Sequence, residues 1–79
     1  MARVRKLSQG DSTSRPHPTE VDAEWSVIHT DANEILLQIS TFGSDSRASQ
    51  PKVSQTIQFD RSTARQLQSI FDQVFGSNA

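Results

Sequence analysis

The chain has 79 residues, a formal net charge of -1 and no cysteine. That excludes a disulfide framework, and with two histidines and no thiolate a structural zinc site is not expected. The length holds one small domain at most, and no run approaches the ~20 apolar residues of a membrane span.

Residues 1–19 contain only Met1, Ala2, Val4 and Leu7 as apolar positions. A segment that polar cannot bury enough surface to order itself, and a flexible, disordered tail is expected there. It is basic, with Arg3, Arg5, Lys6 and Arg15 against Asp11, whereas residues 20–79 carry four cations against eight carboxylates. A basic arm on a mildly acidic body suits contact with nucleic acid, and equally a solubilising tail. The segment ends at Arg15-Pro16-His17-Pro18, where two prolines block helix and favour extended chain. Its arginines lead into no apolar run, so no signal peptide is expected. The lack of cysteine suits a reducing compartment, and a cytoplasmic location is the expectation.

From Glu20 the pattern turns to alternation. Val21, Ala23, Trp25 and Val27 point one way and Asp22, Glu24 and Ser26 the other, as in a half-buried strand. Asp31-Ala32-Asn33 supplies turn chemistry, because Asn tolerates positive φ and Asp bonds back to nearby backbone. A hairpin therefore leads into a second strand over 34–42, with Ile35, Leu37 and Ile39 inward. Gln38 and Ser40 face outward, with Leu36 and Phe42 beside them. A serine-rich loop over 43–50, closed by Pro51, precedes a third strand over 52–59. There Val53, Ile57 and Phe59 go inward and Ser54, Thr56 and Gln58 outward. Gln55 breaks the inward pattern, which suits a sheet margin or a dimer contact.

Asp60 is placed to N-cap a helix, its carboxylate accepting the free amides of the first turn. Ala64, Leu67, Ile70, Phe71, Val74 and Phe75 then share a ~140° arc at ~100° per residue. Gly76 stands where a glycine ends a helix. The fold expectation is therefore α+β: a three-stranded antiparallel meander over which the C-terminal helix lies. The folded domain spans 20–76, with a short end at 77–79. A core this small supplies about 3–5 kcal/mol. With no disulfide or metal to add to it, a homodimer is expected.

Chemistry is sparse. Ser44, Asp45 and Ser46 lack a base within reach, since the two histidines are His17 in the tail and His29 at a hairpin end. The three glycines are too scattered for a phosphate-cradling loop. A unit this small leaves little room for a pocket of ~300 Å³ or more. No enzyme and no cofactor are expected.

Two binding readings remain. Single-strand binders combine a basic groove with aromatic platforms. The outward sheet face offers Phe42 with Gln38, Ser40, Ser54, Thr56 and Gln58, flanked by Arg47 and Lys52, with Arg3, Arg5 and Lys6 able to reach across. The alternative is a protein-interaction or adaptor module, using a free sheet edge or the apolar group Ile28, Leu36 and Phe42.

The order of elements resembles the single-stranded-DNA-binding domain of the positive cofactor four family of transcriptional coactivators. The resemblance is carried by Trp25-Ser26-Val27-Ile28 and by Ile35-Leu36-Leu37-Gln38-Ile39-Ser40-Thr41-Phe42, a strand ending in an aromatic. A loop leading to Pro51-Lys52 follows, and then Ile57-Gln58-Phe59-Asp60 running into a helix with a Leu67 and Ile70 spine. It implies a dimer that clamps single strands on its β surface, with Phe42 stacking a base and Arg47 and Lys52 meeting phosphates. The chain departs from that family at Gln38, Ser40, Ser54 and Thr56, where the family carries Arg or Lys. It has Val53-Ser54-Gln55 where the family has a glycine-rich turn. The expected function is a small non-enzymatic nucleic-acid-associated protein, with single-stranded nucleic acid or a protein as partner.

Overall fold

A computed structural model describes residues 1–43 and 52–76. The expected α+β architecture is present, but the sheet has four strands and is mixed. Strand β1 is Ala2–Arg3, β2 Ala23–His29, β3 Ile35–Phe42 and β4 Val53–Phe59, followed by helix α1, Arg61–Phe75. The spatial order is β1-β4-β3-β2. The meander β2-β3-β4 is antiparallel, while β1 runs parallel to β4.

The parallel strand corrects the expectation that the chain's first residues form a disordered tail. Ala2 stands beside Ile57 and Arg3 beside Gln58, and the Val4 amide donates to the Gln58 carbonyl at 2.8 Å. A free β4 edge offers unpaired backbone groups, and β1 satisfies part of it. Arg3 secures the pairing by reaching Glu34 at 2.7 Å and Asp60 at 3.7 Å. Residues 4–22 contain no helix or strand.

The hairpin forms as its sequence implies. Asn33 adopts φ 61°, and the Thr30 hydroxyl accepts from the amides of Ala32 and Glu34. Register then sets two faces. Trp25, Ile39 and Ile57 stand abreast on one, as do Val27, Leu37 and Phe59. Ser26, Gln38 and Gln58 stand abreast on the other, so the inferred strand phase holds. An irregularity at Thr41/Phe42 sets Phe42 opposite Val53. Val53 is thereby moved off the apolar face where alternation had put it, and Ser54 is passed over. Gln55 pairs with Thr41 near the sheet margin.

The helix departs most from expectation. It was expected to lie across the inner face, but among the described residues it touches only β3 and β4 of the sheet. Thr63 near its start is 2% exposed, Ala64 and Leu67 are half-buried, and exposure then climbs from 38% at Ile70 to 67% at Phe75. The first half of α1 is seated on the sheet and the second half stands clear of it.

The core is correspondingly thin. Leu36 and Phe59 are the buried apolar side chains among the described residues. Leu36 had been assigned to an outward apolar group with Ile28 and Phe42. It is buried instead, and the other two are half-buried.

The start of α1 is built as a capping box. The Asp60 carboxylate accepts from the Thr63 amide at 2.9 Å, and the Thr63 hydroxyl is 3.1 Å from the Asp60 amide. The Thr63 amide chiefly, then its hydroxyl and the Arg3 charge, hold the Asp60 carboxyl below its ordinary pKa against the opposing effect of desolvation. A depressed carboxyl contributes stability that is complete above its unfolded pKa and is lost as pH falls through the folded value. Urea stability is therefore expected to fall less on acidification in Asp60→Asn than in the unsubstituted chain. Equal acid sensitivity in urea titrations at neutral and acidic pH would show that the cap carries no charge-dependent stability.

Candidate functional site

Strand pairing brings the expected polar residues together as a ladder. Gln58 Nε2 donates to Gln38 Oε1 at 2.8 Å, and the Ser40 and Thr56 hydroxyls share a hydrogen bond at 3.1 Å. These side chains are partnered with one another, and Ser40 is 4% exposed. Ser40 was expected to face solvent, so its burial is a correction. The ladder pins the β3–β4 register and uses one donor of Gln58 and one acceptor site of Gln38.

The expected cations divide into two groups. Lys52 lies across from Gly43, whose amide donates to its carbonyl at 3.0 Å, one position beyond the Phe42–Val53 pair. Arg3, Arg5 and Lys6 line a groove of about 720 Å³ together with Ala2, Val4 and Asp60. Arg3 pairs beside Gln58, near the far end of β4 from Lys52, so the two groups stand about 20 Å apart at strand spacing. The Arg3 charge is met by Glu34 and Asp60, and Glu24 stands opposite Ser40 on the same face. Arg47 lies outside the described residues, as do Ser44, Asp45 and Ser46. The cations thus do not converge on the polar face.

The opposite face had been assigned wholly to the core. Trp25 is 71% exposed, and Val27, Ile35 and Ile57 are exposed beside it. Across β2, β3 and β4 this face carries no Asp, Glu, Lys or Arg. A shallow groove of about 390 Å³ opens at its β1 end, between Met1, Ile39, Thr41 and Ile57. Both grooves exceed the volume expected for so small a unit. The apolar one is lined by no ionisable side chain. His29 is exposed at its strand end, as expected, and no three metal-ligating side chains cluster among the described residues. Among the described residues no helix is long and apolar enough to cross a membrane.

The exposure of this face was hidden in the sequence by its own signal. Alternation tells which residues share a face, and the apolar helical arc tells which helix residues need cover. Neither tells whether the two meet within one chain.

Comparison with protein-family models, with curated proteins and with solved structures finds no match. The arrangement of this site therefore rests on its own chemistry.

Proposed function

We propose that this protein is a non-enzymatic protein-interaction module whose working surface is the apolar sheet face around Trp25. The observation that supports this most is a charge-free sheet face with exposed apolar side chains, among them a tryptophan on the outer strand β2. Exposed apolar patches beyond a few hundred Å² are rare on soluble monomers and mark association sites. Homodimerisation is the form of association that the thin core calls for. An apolar contact gains little from charge, so association is expected to survive a tenfold rise in salt and to be lost in Trp25→Glu, as read by sedimentation velocity. Association that faded with salt and persisted in Trp25→Glu would overturn the reading.

A second reading keeps single-stranded nucleic acid as a partner. It is supported by the half-buried aromatic Phe42 at the end of β3 and by the basic groove of Arg3, Arg5 and Lys6, and it is what the positive cofactor four resemblance implies. Stacking on an aromatic contributes about 1–3 kcal/mol per base, and each neutralised phosphate steepens the salt dependence. Under this reading, Phe42→Ala with Lys52→Ala weakens binding of a labelled single-stranded oligonucleotide about tenfold or more in fluorescence anisotropy. Unchanged affinity, or no binding at low salt, would remove nucleic acid from consideration at this surface.

A further inference from the structure

Two apolar surfaces of this chain lack cover among the described residues. One is the sheet face of Trp25, Val27, Ile35 and Ile57; the other is the free half of α1, where Ile70, Phe71, Val74 and Phe75 are exposed. Phe71 and Phe75 are neighbours at a tilt, with ring centroids 6.4 Å apart, and so present one continuous aromatic ridge. The helix cannot use this ridge on its own sheet while it leans on β3 and β4 alone and makes no contact with β2 among the described residues.

We infer that the chain forms a two-fold homodimer in which the free half of α1 from each copy lies on the apolar sheet face of the other. The inference rests on the reading of that face as an association surface, and it names the occupant. Three observations favour a second copy over a foreign protein. The chain presents both halves of the contact, so one two-fold axis covers both at once, whereas a foreign helix would cover the sheet and leave the ridge wet. The dimensions agree: from Leu67 to Phe75 the helix runs about 12 Å, and β2, β3 and β4 span about 10 Å across. Asp72 is the single charged residue between Gln66 and Phe75, and the facing sheet surface is uncharged, so no buried charge opposes the contact.

The test uses the full chain, which has a single tryptophan and no cysteine. Light scattering is expected to give twice the chain mass, with Trp25 shielded from acrylamide and becoming quenchable on dilution. Chains carrying Val27→Cys and Val74→Cys, mixed and mildly oxidised, are expected to form a mixed disulfide dimer at least tenfold faster than either forms one alone. A dimer without preferential 27–74 cross-linking would overturn the reciprocal arrangement while leaving the apolar face as an association surface. A monomer with quenchable Trp25 would overturn the homodimer and leave that face open for a foreign partner. A monomer with shielded Trp25 would overturn both, because the face would then be covered within its own chain.

Discussion

Phe59→Ala is expected to leave most of the chain unfolded at 25 °C. Phe59 and Leu36 are the buried apolar side chains of the described protein, at 6% and 4% exposure. Truncating a core Phe to Ala costs about 3–5 kcal/mol, through lost transfer energy and the cavity left behind. A domain of this size has about 3–5 kcal/mol of net stability to lose, so one substitution can remove all of it. Phe59 also sits next to the helix cap and pairs with Leu37, so its loss uncouples α1 from β3. Far-UV circular dichroism through a urea titration reads the outcome, with Val21→Ala at an exposed position as the control. A folded Phe59→Ala chain, with its urea midpoint little changed, would mean that stability resides in the apolar face of an assembly and not in this core.

Local chemistry and strand phase were legible in the residues, whereas the placement of elements against one another was not. Asp60, Gly76 and Asn33 each act through groups close to them in sequence, and each occupies its expected role. The phase of β2, β3 and the second half of β4 follows from period two, and it holds up to the irregularity at Thr41/Phe42. Beyond that point Val53 changes sides, because a slip of one residue exchanges the faces of a strand. Strand β1 carried no readable signal. Two residues cannot display alternation, and Ala2 and Arg3 enter the sheet because a vacant β4 edge and two carboxylates, Glu34 and Asp60, receive them. At the candidate site, Gly43 and not Phe42 stands across from Lys52, and Ser40 and Gln38 are engaged in cross-strand pairs. Cross-strand pairing depends on register, which composition does not encode.

The second large effect is expected at Leu67, where the seated half of α1 meets its free half. Leu67 is half-buried and lies on the apolar arc between Ala64 and Ile70. Leu67→Asp removes about 2 kcal/mol of apolar burial and sets a carboxylate against the β3–β4 surface, where its desolvation is uncompensated. Both consequences act on the same element, so helical ellipticity and the mass of the assembly are expected to fall together. Ser69→Asp, roughly opposite on the helix and exposed, adds the same charge without touching either surface and is expected to change neither. The comparison isolates the face from the charge. A Leu67→Asp chain that kept its ellipticity but fell to single-chain mass would place Leu67 in the contact between copies more than in its own domain. One that kept both would mean that the helix is tied to neither sheet through this face, and the architecture in which α1 joins two apolar surfaces would fail.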